Sequence, residues 1–191
     1  MKYIYIIISV FFSLVSFGQD TNQNYTKKVT YKLPTTNSVN NPDITIANTE
    51  VVYYDGLGRP IQQINHKQSN SGKDIITHIE YDQFGRQIKE YLPYVSSGAS
   101  LSYLPSAQSD LLGFYISPSF ANTGNPNFEA TGNPYSEKIL ENSPLNRVYK
   151  QAAPGEDWKK NGGKEVKFEY ATNLSTGSEA VKLYKANASW N

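Results

Sequence analysis

Two stretches of the chain are spelled almost alike, Tyr54-Asp55-Gly56-Leu57-Gly58-Arg59 and Tyr81-Asp82-Gln83-Phe84-Gly85-Arg86. In each, a strand-ending Tyr leads into Asp, two variable residues, Gly and Arg. This is the spelling of a three-residue hairpin loop: a type I turn closed by a left-handed residue that makes a bulge. Gly58 and Gly85 stand where positive φ is needed, which glycine supplies without a steric penalty. Asp55 and Asp82 take the first turn position, where a carboxylate accepts a hydrogen bond from backbone two residues on. The same geometry sets Asp55 opposite Arg59 and Asp82 opposite Arg86, a pair worth about 0.2–1 kcal/mol when exposed. Each Arg can also lie on a nearby Tyr face. A weaker third copy is Ser143-Pro144-Leu145-Asn146-Arg147, with Asn146 at the left-handed position that Asn tolerates. Every member of the motif has a structural duty, and a chain organised by it folds as hairpins.

The sequence around the turns agrees. Strands are predicted over 29–34, in the run ending at Tyr54, over 59–68, 74–82 and 86–94, and again in the segments flanking the third turn and near the end. The alternation of 59–68 is imperfect, since Ile61 and Ile64 are separated by two glutamines. Tyrosine, with 15 copies against 2 Trp, favours a half-buried pleated surface. The expected fold class is therefore all-β: consecutive antiparallel β-hairpins forming a ribbon or sandwich. Strand 74–82 and strand 86–94 are expected to pair as the second of two consecutive hairpins. A long irregular insert is expected over 95–134, rich in Ser, Gly, Asn and Pro; a brief helix around 106–115 is the less favoured reading of part of it.

The first residues have the parts of a secretory signal: Lys2, an apolar run from Ile4 to Phe17, and small Ser16 and Gly18 at the positions a peptidase inspects. The run is shorter than the roughly 20 residues that cross a bilayer. Residues 1–18 are thus expected to be a cleaved signal peptide, 19–28 a flexible linker and 29–191 the β-rich domain of a protein that is extracellular or at the cell surface, without stable membrane insertion. Absence of cysteine excludes disulfides, thiol catalysis and thiolate metal ligands. Eighteen Lys plus Arg against 17 Asp plus Glu offer no basis for nucleic-acid binding. The final strand would leave an exposed edge, so the sequence is expected to be the opening part of a longer polypeptide.

Tyr-Asp-x-x-Gly-Arg is the core of the YD repeat, and the chain resembles the bacterial RHS/YD-repeat proteins. The runs YYDGLGRPIQQ, IEYDQFGRQIKEYLPY and NPYSEKILENSPLNRVYKQAAPGEDW resemble the uncharacterised N-terminal domain that precedes the repeats in large secreted members. The resemblance implies a ribbon that spirals into a hollow shell, with a role in encapsulating or delivering a C-terminal toxin or other effector. It also implies downstream repeats of the same polypeptide as the partner. The self-cleaving core and toxin tail of the full pattern are not found here, which leaves toxic activity unassigned.

Residues that would carry chemistry are scarce. His66 and His78 are the only imidazoles and have only carboxylates such as Asp74, Glu80 or Asp82 to join them, in no metal-ligand spacing. Asp55 and Asp82 as paired glycosidase acids are already explained as turn caps. Gly56-x-Gly58 lacks the helix and Lys of a phosphate loop, and no Gly-x-Ser-x-Gly elbow appears. The expectation is a chain without catalytic, metal or cofactor residues. The alternative function is a cell-surface module binding a glycan or protein through exposed tyrosines, with Tyr53, Tyr91 and Tyr94 as the platform.

Overall fold

The computed structural model describes residues 23–116, 130–172, 174, 176–177, 180, 182 and 184–188, so the expected signal segment lies outside the described residues. The chain forms strands β1 (Asn24–Tyr31), β2 (Ala47–Tyr54), β3 (Pro60–Asn65), β4 (Ile75–His78), β5 (Lys89–Tyr91) and β6 (Tyr94–Val95). Helix α1 (Ala107–Ile116) follows, then β7 (Tyr135–Leu140), β8 (Val148–Ala152) and β9 (Val166–Lys167). One sheet runs β1-β2-β3-β4-β6 and the other β5-β7-β8-β9. Neighbouring strands in both are antiparallel. The fold is mostly β, built from antiparallel hairpins.

Strand β2 shows the physics most plainly. Ala47, Thr49, Val51 and Tyr53 are buried while the residues between them are not, the period of two that a sheet with one covered face demands. Register partners then carry one apolar row across the sheet, from Val51 to Ile64, Ile76 and Tyr94. Helix α1 packs over this row with Ala107, Leu111 and Tyr115, spaced four apart on one helix face. Burying each large side chain here contributes roughly 1.5–3 kcal/mol.

The imperfect alternation of β3 has a specific cause. Gln62 occupies an inward position and is almost fully buried. Its Nε2 donates to Leu104 O at 2.9 Å and its Oε1 accepts from Leu104 N at 3.0 Å, so the amide pairs with a loop as a strand backbone would. Both polar ends are satisfied, and the position stays compatible with a core.

Three expectations are corrected. Residues 24–28 of the expected flexible linker belong to β1, which pairs along its length with β2. The expected irregular insert 95–134 contributes Val95 to a strand and a ten-residue helix to the core. Strands 74–82 and 86–94 do not form the second hairpin: β4 pairs with β6, while β5 leaves for the other sheet and pairs with β7. The second hairpin is instead β3–β4, joined through the turn at Ser69–Gly72.

Leu111 tests whether α1 is integral. Leu111→Ala is expected to cost about 2–5 kcal/mol in urea unfolding, as for other fully buried leucines; a loss under about 1 kcal/mol would place the helix outside the core.

Candidate functional site

The repeated turns form one continuous arrangement. In the first, Asp55 N donates to Arg59 O and Gly58 N to Asp55 O; in the second, Asp82 N donates to Arg86 O and Gly85 N to Asp82 O. Gly58 and Gly85 have φ of 76° and 75°. The Asp Oδ1 atoms accept from backbone N–H two and four residues on, all at 2.9 Å. Each Oδ2 receives both Nε and Nη2 of the paired Arg, at 2.7 Å in the first turn and 2.7–2.8 Å in the second. One carboxylate thus closes the loop with one oxygen and aims an arginine with the other.

The third turn does the same with a different residue. Asn146 has φ of 51°, its N donates to Ser143 O, and Ser143 Oγ accepts from Leu145 N, as expected of a weaker copy. The carboxylate that holds Arg147, however, is Glu141, through Nε at 2.9 Å and Nη2 at 2.8 Å. Glu141 N also donates to Arg147 O, the ladder position that Asp55 and Asp82 fill. Between Glu141 and Arg147 lie residues 142–146, against 56–58 and 83–85 in the other turns. Sequence reasoning missed Glu141 because the loop is longer, although a Glu bounding a turn before Arg was the available signal.

Each arginine then reaches forward along the chain. Arg59 Cζ lies 4.4 Å from the centre of the Tyr81 ring, and Tyr81 Oη donates to Pro60 O at 3.0 Å. A Cβ added to Gly85 would stand 2.8 Å from Arg59 Nη1, so a side chain there would displace the tip of that arginine as well as strain φ. Arg86 Nη1 donates to Asn146 Oδ1 at 2.7 Å. Arg147 Cζ lies 5.0 Å from the centre of the Tyr170 ring. The tips between these contacts present Leu57, Phe84 and Leu145 at equivalent places, 79%, 72% and 72% exposed. A cleft of about 550 Å³ separates the second and third turns, between Phe84 and Pro144.

Tyr53, Tyr91 and Tyr94 are not a surface platform. All three are buried in the core, where the Tyr53 ring packs against Tyr25 and Tyr103, Tyr91 against Tyr135, and Tyr94 against Phe114. Tyr54 stays half-buried and its hydroxyl meets Thr26 Oγ1 at 3.1 Å. The two imidazoles have separate settings: His66 Nδ1 lies 2.8 Å from Asp74 Oδ1, while the His78 ring packs 5.3 Å from that of Tyr91. Burial pushes His78 below its ordinary pKa against the opposing pull of Glu80. No group of three or more metal-type ligands occurs among the described residues, and no described helix is long and apolar enough to cross a membrane.

Residues 27–172, which hold all three turns and the landing place of the last arginine, match a family described as a domain of unknown function, DUF6443. The chain belongs to the DUF6443 family. No curated protein matches it.

All three turn carboxylates of this DUF6443 domain are shifted downward. The Arg59 backbone N–H first of all, then its side chain, holds Asp55 below the usual carboxylate range. For Asp82 burial pulls upward, but the N–H and guanidinium groups of Arg86 outweigh it and the net shift is downward. The Arg147 side chain, aided by Ser143, lowers Glu141 from 4.5 to about 2.

Two outcomes follow from this geometry. Gly58→Ala is expected to cost about 1 kcal/mol from positive φ alone. Gly85→Ala is expected to cost more, with the excess disappearing in an Arg59→Ala background. Additive losses in that double-mutant cycle would show that Arg59 and Gly85 are not coupled. For pH, a depressed folded-state pKa means stabilisation that is complete above the unfolded value and lost as pH falls through the folded one. Thermal melts should therefore fall as the pH drops from about 4.5 to about 2, and Glu141→Gln should flatten that part of the profile.

Proposed function

We propose that this domain is the N-terminal part of a secreted RHS/YD-repeat shell, a structural element in the encapsulation or delivery of an effector carried further along the polypeptide. Catalysis is not its task. Its chief support is the forward reach of the turn arginines, in which Arg59 meets Tyr81, Arg86 meets Asn146 and Arg147 meets Tyr170. Such contacts are additive by construction. A further hairpin with the same turn would extend the series without altering its earlier members, which is what a wall made of repeats needs. Among the described residues β9 is the last strand of its sheet, and its Val166 and the following Phe168 are exposed. Unpaired strand edges of this kind accept a further strand. Entry to the secretory route rests on Lys2 and the apolar run that follows it.

The test is to read the gene beyond Asn191 and to image the complete polypeptide by cryo-electron microscopy. Further Tyr-Asp-x-x-Gly-Arg copies, with this domain continuous with the wall of a closed body, are the expected result. Repeats that form a body from which this domain hangs on a tether, or a gene without any repeats, would overturn the proposal.

A further inference from the structure

Away from the turns, a pocket of about 390 Å³ is lined by Lys27, Asn41, Thr49, His66 and Ser100, among others. Its volume falls in the range of small-molecule sites, roughly 300–1,000 Å³. Behind it stands Asp74, a buried carboxylate that is not among the lining residues. Asp74 Oδ1 accepts from Lys67 N at 2.9 Å and lies 2.8 Å from His66 Nδ1, and Oδ2 accepts from Leu101 N at 3.1 Å. An ionised carboxylate can only accept, so Nδ1 of His66 carries a hydrogen. The other ring nitrogen, Nε2, makes no hydrogen bond among the described residues.

The backbone around this pocket is unusual. Asn41, Lys67 and Leu101 have φ of 51°, 52° and 60°, in the left-handed region that a bulky side chain such as leucine rarely enters. Leu101 is pinned there from both sides, by Asp74 at its N–H and by Tyr53 Oη, which donates to its carbonyl at 2.6 Å. Strained residues held by buried hydrogen bonds around a cleft mark places where geometry is kept for binding. Among the described residues Lys67 and Leu101 are the two with positive φ that are neither glycine nor asparagine; Leu101 lines the pocket and Lys67 follows His66, which does.

The polar groups named for the lining are an ammonium, an imidazole, two hydroxyls and an amide, with no carboxylate among them. Lys27 Nζ donates to Asn41 Oδ1 at 2.7 Å, which fixes the ammonium and leaves it two further hydrogens. We propose that this pocket binds a small polar ligand bearing an oxyanion, a carboxylate or a phosphate, with Lys27 and His66 as its charged and imidazole contacts and Asn41, Thr49 and Ser100 serving its hydroxyl groups. Asp74 is a positioning residue, since it acts through His66 and the two strained loops.

His66 and His78 are the only histidines, so imidazole NMR has one reporter in the pocket and one internal control. The folded chain is titrated with glucuronate, with inorganic phosphate, and with glucose as a neutral comparator. The His66 ring signals are expected to move saturably with at least one of the two anions, the tighter one naming the ligand class, while His78 stays still. Lys27→Gln is expected to weaken that binding about tenfold or more, as loss of a charge-assisted contact does, with an unchanged melting temperature. Lys28→Gln, on the neighbouring exposed position, is expected to change nothing. The proposal is overturned if neither anion moves His66, if both histidines move together, if glucose is as effective, or if Lys27→Gln binds as well as the parent.

Discussion

The bond between a turn carboxylate and its arginine is the constraint from which the rest of this architecture proceeds. A type I turn with a left-handed fourth residue closes without help from any particular side chain, but its arginine would then be free to wander. Asp55, Asp82 and Glu141 remove that freedom by gripping Nε and one terminal nitrogen together. What remains of each guanidinium points at a neighbour. A side chain usually left to solvent becomes the connector between one turn and a later part of the chain, at little entropic cost because the turn has already ordered it.

The same economy appears in the buried polar groups, which hold loops where a cysteine-free chain has no covalent staple. Gln62 pairs with Leu104, Asp74 ties the loop after β3 to the segment before α1, and Asn133 Nδ2 serves the carbonyls of Tyr135, Ala153 and Gly155 at 3.2–3.3 Å. Each gives loop backbone a side-chain partner in place of a strand. Removing one would leave several buried groups unsatisfied at once, which costs more than the single bond suggests.

Sequence reasoning reached furthest where a position has only one physical solution. A left-handed φ calls for Gly or Asn, so Gly58, Gly85 and Asn146 were legible, and so were the caps and pairs of Asp55, Asp82, Arg59 and Arg86. It stopped where the answer depends on distant chain. The turn at Tyr81–Arg86 fixes its own four bonds but says nothing about which strand β5 will choose, and β7 won that choice. Helix α1 was faint because it is only ten residues long, carries Gly113, and has apolar Leu112 and Ile116 off its buried face, which blurs its period. The burial of Tyr53 follows the alternation of β2, but that of Tyr91 and Tyr94 depends on which strands and helix pack on them, and the work of Asp74 depends on Leu101; neither was visible locally.

The forward direction of the arginine contacts has a consequence for how the molecule comes into being. Arg59 waits for Tyr81, Arg86 for Asn146 and Arg147 for Tyr170, each a residue that leaves a ribosome or a translocation pore later than the arginine itself. A turn closes as soon as its own few residues have emerged, and the next arrival then locks it from the side. Assembly of the turns can therefore run in the order of emergence, each finished turn offering its arginine to the segment behind it, while strand β5 waits for β7 to arrive.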